Sequence, residues 1–408
     1  MLLEFANLVI SIIPFKIAIS LVVFVLVYLL FRQAIRREMD LGFVALLLCI
    51  IPSLTPFLTI MSGYDNFTAM NYELQTPPLI LAAMILIMIL FFSIRFGYSL
   101  PMPTKKHFSS SYYFNDWFFW GLIGINVVLL FFFLESGSIL NTSYGSIKLQ
   151  EAPYSSLVHQ FFNLSIALLL ASMLTQRRHK VNSTVLILFI IIALLFSRRN
   201  MVAGLGLLLI YIYGAQRISF KQILLGGAVL AILIFVGEAR NVGIINFLSG
   251  ERFVSNANVF HYYTMAGGGA NIFLSTIGVV DINLSGKLEG LETFPISTWP
   301  LGITESKIYQ DHGYAYNGGM HLASVLYWNF GLLGVVSGGV FFGMILKFSD
   351  KTLQKLSSPY VGGLETSLAI MLILHLSTVI WYGPIGLIKG SIALFFAALI
   401  LEFFPRKR

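Results

Sequence analysis

The chain has 408 residues, of which 57% are hydrophobic, 14% aromatic and only 11% charged, with a mean hydropathy of +0.84. This composition cannot supply the polar surface of a water-soluble globule, so it predicts a membrane protein. The net charge of +8 must first be tested as a topology signal, and it does not by itself indicate a nucleic-acid partner. The single cysteine, Cys49, excludes a disulfide framework. Signatures of a phosphate loop, a His-Glu-x-x-His site and an Asp-x-Asp site are missing from the sequence, which argues against nucleotide-driven transport and a metal-bound nucleotide sugar.

Apolar segments follow one another along the chain at lengths suited to transmembrane helices. Crossing the ~30 Å hydrocarbon core takes ~20 mostly apolar residues. On this criterion eleven spans lie near residues 15–31, 41–60, 78–98, 117–134, 155–174, 184–197, 201–215, 222–237, 320–346, 362–381 and 385–404. The sequence therefore predicts an all-α, polytopic integral membrane protein with about 11 transmembrane helices, in a single transmembrane domain over residues 1–408.

The positive charges fall mainly on one side of this arrangement. Seventeen of the 26 lysine and arginine residues lie on the face that carries the C-terminus, and the positive-inside rule makes that face cytoplasmic. Residues 238–319 then form one large loop on the outer side, and long loops on a rigid scaffold often carry functional groups. Within the loop, Val259–Val280 is too polar and glycine-interrupted for an ordinary span, which predicts an interfacial or re-entrant helix that lines a cavity.

Ser197–Asn200 contains two arginines between apolar runs of only fourteen and fifteen residues. A fourteen-residue helix reaches only ~21 Å, so Arg198 and Arg199 should lie recessed in a pocket lined by protein. Two guanidinium groups without a nearby acid suit a phosphate, which arginine binds in a bidentate fashion. The alternative is a charged hairpin tip that reaches the lipid headgroups.

A second charged group lies where the span at 222–237 meets the large loop. Arg240 emerges at the same membrane level as the arginine pair, so the three side chains can surround one pyrophosphate, with Arg252 as a fourth candidate. Glu238 is a candidate acid or base. Glu251 and Arg252 can instead form an ion pair at the membrane surface.

The densest polar cluster lies between Asp311 and His321, directly before the span at 320–346. It suits a carbohydrate site, where aromatic faces stack on sugar rings, polar groups bind hydroxyls and one base removes a proton. The candidate bases are His321, His312, Asp311 and Glu238, and the candidate sugar contacts are Tyr314, Tyr316, Asn317 and His261. An isolated histidine can instead be a hydrogen-bonded structural residue, and a zinc site lacks a convincing ligand set.

The segment Met320–Ser324, running into Tyr327–Gly334, resembles the region after the large periplasmic loop of O-antigen polymerases. These enzymes polymerise the oligosaccharide repeat units of bacterial surface polysaccharides. The turn at Ser197 and Arg198 is similar to theirs and to that of the related O-antigen ligases. Together with the topology and the position of the loop, the resemblance covers most of the chain, and it favours His321 as the base.

The resemblance implies a metal-independent glycosyltransferase without a cofactor, in the bacterial cytoplasmic membrane, with its active site facing the periplasm. Its substrates are then two undecaprenyl-pyrophosphate-linked oligosaccharides, and the donor glycan is moved to the terminal sugar of the acceptor. Membrane lipid and, from the family alone, a chain-length regulator are the implied partners, whereas nucleic acid is not. The alternatives are an O-antigen ligase, which uses another acceptor, and a lipid-linked oligosaccharide flippase, which tends to show internal repeats.

Overall fold

The computed structural model describes residues 2–35, 40–61, 66–67, 72–73, 77–102, 120–121, 123–125, 127–128, 164, 166–171, 244–250, 268–281, 285, 320–354, 363–383, 387–388, 390–392 and 394. The chain divides into two compact units. The first comprises Met1–Met102, Asn258–Lys347 and Ser377–Ile385, and the second comprises Pro103–Ala257, Phe348–Leu376 and Gly386–Arg408.

The described part of the chain is helical except for one short ribbon, which confirms the all-α fold class there. The helices are α1 (Leu2–Ile12), α2 (Phe15–Ile35), α3 (Leu41–Met61), α4 (Pro77–Ser99), α5 (Ile244–Leu248), α6 (Gly268–Asp281), α7 (Leu322–Gln354) and α8 (Gly363–Tyr382). The strands β1 (Asn66–Phe67) and β2 (Tyr72–Glu73) pair antiparallel between α3 and α4. Three of the described helices are long and apolar enough to cross a membrane: Phe15–Gln33 within α2, α4 and α7.

Five predicted spans coincide with labelled helices. The segments at 15–31, 41–60, 78–98, 320–346 and 362–381 overlap α2, α3, α4, α7 and α8. Helical residues also occur within the segments at 117–134, 155–174 and 385–404. The segments at 184–197, 201–215 and 222–237 lie outside the described residues, so the number of eleven spans stays a prediction.

The helix α1 is too short for the criterion of a spanning segment, so hydropathy does not predict it. It has 11 residues and packs against α2 and α4. The N–H of Ile13 still donates to the carbonyl of Val9 at 2.8 Å, but Pro14 has no N–H with which to continue the helix. The carbonyl of Pro14 then accepts the N–H of Ile17 at 2.9 Å, so the proline ends α1 and opens α2.

Two polar contacts fix the position of α3. At its start, Oδ1 of Asp40 accepts the N–H of Phe43 at 2.7 Å and the side-chain amide of Gln33 at 3.3 Å. Asp40 is therefore an N-cap that also holds the end of α2. Further along, Pro52 supplies no N–H to the carbonyl of Leu48, four residues earlier. The indole Nε1–H of Trp381, from α8, donates to that carbonyl at 2.8 Å.

The helices α4 and α7 approach closely because glycines lie at their contact. A Cβ atom added to Gly97 would overlap the backbone of Val340, and one added to Gly343 would overlap the backbone of Ile94. Gly339 and Gly343 have the Gly-x-x-x-Gly spacing that lets membrane helices pack backbone to backbone. The close approach of the two helices therefore requires glycine, which has no Cβ atom, at these positions.

Near this contact, a lysine of α7 caps the C-terminal end of α4. Nζ of Lys347 donates to the carbonyl of Leu100 at 2.5 Å and to that of Ser99 at 3.3 Å. A cation is favourable at a helix C-terminus, where the last carbonyls lack helical partners. Lys347 and the end of α4 thus lie at one level.

The helix α6 is short and buried. Every residue from 272 to 280 is buried, and α6 packs against α3 and α4. Its 14 residues extend over only ~21 Å, which is too short to cross the hydrocarbon core. A helix is predicted within Val259–Val280, and the structure has one at Gly268–Asp281. Its re-entrant position in a bilayer stays a prediction.

The helix α7 is broken at Gly331. It has 33 residues, but Gly331 has φ 66° and ψ −161°, a backbone conformation that is essentially restricted to glycine. We call residues 322–330 the proximal segment and residues 332–354 the distal segment of α7. The uninterrupted span predicted at 320–346 is therefore two helical pieces. A hydropathy window does not detect the break, because Gly331 lies between apolar residues.

Candidate functional site

His321 immediately precedes α7 and caps it. Its carbonyl accepts the N–H of Ser324 at 2.8 Å and that of Val325 at 3.1 Å. Its Nδ1 atom accepts the N–H of Ala323 at 3.1 Å. The imidazole thus takes the place that Ser, Thr, Asn or Asp usually fills at an N-cap, where a side-chain acceptor satisfies an N–H group without a partner inside the helix.

This cap determines which nitrogen of the imidazole carries the proton. A backbone N–H can only donate, so Nδ1 must present its lone pair to Ala323. In an imidazolium both nitrogens are donors, which is incompatible with the cap. The ring is therefore the neutral tautomer with its proton on Nε2, and Nε2–H is a hydrogen-bond donor.

His321 is fully enclosed by protein. Its exposed fraction is 0%, and the ring interacts with the backbone of Cys49 in α3. Nδ1 is satisfied by the N–H of Ala323, and the buried Nε2 has the backbone of Cys49 as its neighbour.

A pair of hydroxyl groups joins the proximal segment to α6. Oγ of Ser324 donates to Oγ1 of Thr276 at 2.9 Å, and both residues have an exposed fraction of 0%. Oγ1 of Thr276 donates in turn to the carbonyl of Ile272 at 3.2 Å. Both hydroxyl protons therefore have an acceptor, and the contact holds the residues after His321 against α6.

Two more buried polar side chains lie in the same unit. Nδ2 of Asn329 donates to the carbonyl of Val325 at 2.9 Å, whereas its Oδ1 atom has no partner within the described ranges. Ser53 lies one turn after Cys49 on α3, has an exposed fraction of 0%, and its hydroxyl likewise has no partner among the described residues. Among the described residues of the first unit, the buried polar atoms without a hydrogen-bond partner include Oγ of Ser53, Oδ1 of Asn329 and Nη1 of Arg95.

His321 is the single predicted site residue that the structure describes. The other predicted site residues lie outside the described residues: Glu238, Asp311 and His312 as catalytic candidates, Arg198, Arg199, Arg240 and Arg252 at the pyrophosphate, and Tyr314, Tyr316, Asn317 and His261 at the sugars. Their roles and mutual distances stay predictions. Within the described ranges, no three or more His, Cys, Asp or Glu side chains are grouped so that they could hold a metal ion.

Four of the buried polar residues described above were not predicted as site residues: Ser53, Thr276, Ser324 and Asn329. A signal existed, because a hydroxyl in an apolar helix must find a partner or remain unfavourable. The sequence could not select them among the other serines and threonines, since burial depends on which helix face meets a neighbour. Ser324 and Thr276 are 48 positions apart, so their contact is a property of the fold.

Comparison of the chain with protein-family models, with curated proteins and with solved structures gives no match in any of the three. The class of protein therefore follows from the chain itself. It is a helical protein whose apolar helices suit a membrane, with a buried polar group around the start of α7.

Proposed function

We propose that this protein is a membrane glycosyltransferase that polymerises lipid-linked oligosaccharide repeat units of a bacterial surface polysaccharide. A hydroxyl of the terminal sugar of one undecaprenyl-pyrophosphate-linked repeat attacks the anomeric carbon of a second lipid-linked glycan. The bond from this carbon to the pyrophosphate oxygen breaks, a base takes the hydroxyl proton, and undecaprenyl pyrophosphate leaves. The donor linkage supplies the free energy, so no nucleotide is consumed.

The observation that carries this proposal is the buried polar start of α7. The segment that resembles O-antigen polymerases, Met320–Gly334, contains the cap at His321, the hydroxyl contact of Ser324 and the break at Gly331. Polar groups inside a membrane protein are unfavourable unless they are paired or functional. Their concentration in this segment supports a substrate site here and argues against a purely lipid-facing helix.

The remaining roles in the proposal rest on the sequence. Arg198, Arg199 and Arg240, with Arg252 as a further candidate, stabilise the negative charge that develops on the leaving pyrophosphate. Guanidinium groups can do this without a metal ion. The base is one of the four candidates that the sequence analysis named.

The proposed setting is the bacterial cytoplasmic membrane, with eleven spans, residues 238–319 in the periplasm and the C-terminus in the cytoplasm. The asymmetry of 17 among 26 basic residues supports this orientation. The contact of Lys347 with the end of α4 is consistent with it, since both then lie at the cytoplasmic level.

A lipid-linked oligosaccharide flippase is the second candidate, and one observation favours it. Transporters often contain helices that are broken near polar groups, and α7 is broken at Gly331, two residues after the buried Asn329. The O-antigen ligase is the third candidate, because it shares the features that carry the resemblance.

The lipid-linked products of a strain that lacks this protein separate the three candidates. For a polymerase, we expect lipopolysaccharide capped with a single repeat unit. Long lipid-linked chains with no capping would indicate a ligase, and single lipid-linked units trapped on the cytoplasmic side would indicate a flippase. Either of the last two results contradicts the proposed function.

A further inference from the structure

The proximal segment of α7 folds back along the distal segment. A Cβ atom added to Gly338 would lie 2.7 Å from Cδ2 of Leu326, and one added to Gly334 would lie 2.8 Å from the carbonyl oxygen of Leu326. Leu326 and Gly338 are twelve positions apart, and a continuous helix would separate their Cα atoms by ~18 Å. The break at Gly331 therefore reverses the chain, so α7 is a helical hairpin with its tip at Gly331.

This hairpin lies beside the middle of α4. A Cβ atom added to Gly339, the neighbour of Gly338, would lie 2.6 Å from Cβ of Ser93 and 3.1 Å from Cδ1 of Leu90. Leu90 is the fourteenth of the 23 residues of α4, which is long and apolar enough to cross a membrane. Leu326, which packs on Gly338, therefore lies close to the middle level of a membrane-length helix.

The start of α7 lies at a similar depth on a second helix. The ring of His321 interacts with the backbone of Cys49, the ninth of the 21 residues of α3. Ser324 is bonded to Thr276 of α6, which packs against α3 and α4. All residues from 321 to 329 are buried except Leu326, which is partly buried. The proximal segment is therefore enclosed by protein near the middle of α3 and α4.

We propose that residues 321–330 form a fixed re-entrant arm, which lies inside the membrane without crossing it. The distal segment then crosses alone, since its 23 residues extend ~34 Å. Non-helical backbone at membrane depth is tolerated where protein surrounds it, and Gly331 is buried. In a step that rests on the proposed function, the arm positions the substrate site at the start of α7 among the spanning helices, below the surface of the large loop.

Contacts on two sides hold the arm in one place. The Ser324 hydroxyl joins it to α6, and the Leu326 side chain packs on Gly338 of the distal segment. Gly334 and Gly338 are four positions apart, so the two arms of the hairpin meet where neither position has a side chain. Close packing of this kind favours a single arrangement over a moving gate.

A disulfide between the two arms tests the hairpin directly. In the full-length protein in nanodiscs with Cys49→Ala, the pair Leu326→Cys and Gly338→Cys should cross-link on mild oxidation. Cγ of Leu326 lies 3.3 Å from the added Cβ atom, so a sulfur atom at that position suits a disulfide. The control pair is Leu326→Cys with Val336→Cys, because Val336 is exposed and lies ~200° around the helix from Gly338. Mass spectrometry that finds no Leu326–Gly338 cross-link would overturn the inference.

A second test of the hairpin needs no disulfide. Gly338→Ala should lower the unfolding temperature of the wild-type protein, because the new Cβ atom meets the Leu326 side chain. In a Leu326→Ala background the same change should not lower it, since the space is then open and alanine favours a helix. Equal decreases in both backgrounds would contradict the contact between the two arms.

A nitroxide label measures the depth of the arm. Phe92 of α4 is exposed and lies between the two residues that Gly339 approaches, so a label on Phe92→Cys reports this level. We expect oxygen to relax the label more strongly than a water-soluble nickel chelate does. Ser99→Cys is the control, because Ser99 is an exposed residue at the end of α4 and should be open to the chelate. Equal access of the chelate to both labels would place the arm outside the hydrocarbon and overturn the inference.

Turnover of the cross-linked protein tests whether the arm is fixed. We expect polymerisation to change by less than about twofold on oxidation, because locking affects turnover only if the element must move. A loss of turnover that a reductant restores would show that the arm moves and would contradict the inference. If the wild-type protein does not polymerise lipid-linked repeats but forms the cross-link at the expected depth, the proposed function is wrong and the re-entrant arm remains. Polymerisation without the cross-link would refute the arm alone.

Discussion

The proximal and distal segments of α7 belong to one helix but use their side chains in opposite ways. The proximal segment buries nearly all of its residues, including Ser324, Trp328 and Asn329. The distal segment exposes large apolar side chains such as Leu333 and Phe341 and turns Gly339 and Gly343 toward α4. The first is suited to binding polar groups inside the protein, and the second to packing closely against α4.

Gly331 makes this division possible. A continuous helix would carry the exposed face of the distal segment onto the proximal segment, since side chains repeat every 3.6 residues. The break at Gly331 changes the direction of the helix and so changes which side chains become buried. Gly334 supports the bend, because a Cβ atom there would collide with Phe330 and with the backbone of Leu326. A short motif such as the one around Gly331 can therefore specify a backbone shape as well as a set of polar side chains.

The tautomers of two histidines likewise depend on where each residue lies in its helix. Nδ1 of His321 accepts a hydrogen bond at the start of α7, whereas Nδ1 of His375 lies 2.9 Å from the carbonyl of Met371, within α8. A carbonyl can only accept, so His375 carries its proton on Nδ1. The place of each residue in its helix, at the cap or in the interior, therefore sets opposite tautomers.

Removing the break should have the largest effect. Gly331→Ala places a Cβ atom on a backbone conformation that costs about 1–3 kcal/mol for other residues, so the helix should straighten or lose stability. We expect loss of polymerisation by the purified protein together with a lower unfolding temperature. Gly124→Ala is the control, because a Cβ atom there has no neighbour within 4 Å. Wild-type turnover in Gly331→Ala would show that the break is dispensable.

Disturbing the distal segment should lower stability while leaving the chemistry intact. Gly97→Ala and Gly343→Ala each push α4 and α7 apart, and overpacking of this kind costs about 1–3 kcal/mol. We expect a lower unfolding temperature for both variants but near-normal turnover per folded molecule. The measurement is thermal unfolding in nanodiscs beside polymerisation below the transition. Normal stability with lost turnover would place the chemistry in the distal segment and contradict the division proposed for α7.

The long apolar helices could be predicted from the sequence because hydropathy alone determines them. α2, α4 and α7 were predicted within a few residues at their starts. The helix α1 was not predicted, since its 11 residues do not reach the length of a span and its position depends on packing against α4. The break in α7 was not predicted either, because the sequence around a glycine in an apolar run does not indicate its φ angle.

The candidate site was predictable only in part. His321 was singled out, but its span was predicted to begin at residue 320, whereas α7 begins at Leu322. This difference of two residues changes the role of the side chain, since a histidine inside the helix cannot cap it. The orientation of the ring and the proton on Nε2 follow from the cap. The partnership of α6 with the proximal segment joins distant parts of the chain, and no local pattern encodes it.

The smallest expected effect concerns the hydroxyl contact between α6 and the proximal segment. Thr276→Val removes the acceptor of the Ser324 hydroxyl and leaves a buried donor, whereas Ser324→Ala leaves Thr276 bonded to Ile272. We therefore expect Thr276→Val to cost about 1–2 kcal/mol and Ser324→Ala less than about 1 kcal/mol.

The double variant tests whether the two hydroxyls act as a pair. It should lower the free energy of unfolding by less than the sum of the two single variants, with a coupling of about 0.5–1 kcal/mol. The reason is that removing both hydroxyls leaves no unpaired donor behind. Thermal unfolding of the four proteins measures this cycle, and turnover should fall only a few-fold, since His321 keeps its cap. Ser337→Ala is the control from the distal segment, where an exposed hydroxyl donates to the carbonyl of Leu333 at 2.8 Å, and it should be neutral. Additive costs would mean that α6 and the proximal segment are held together by apolar packing alone.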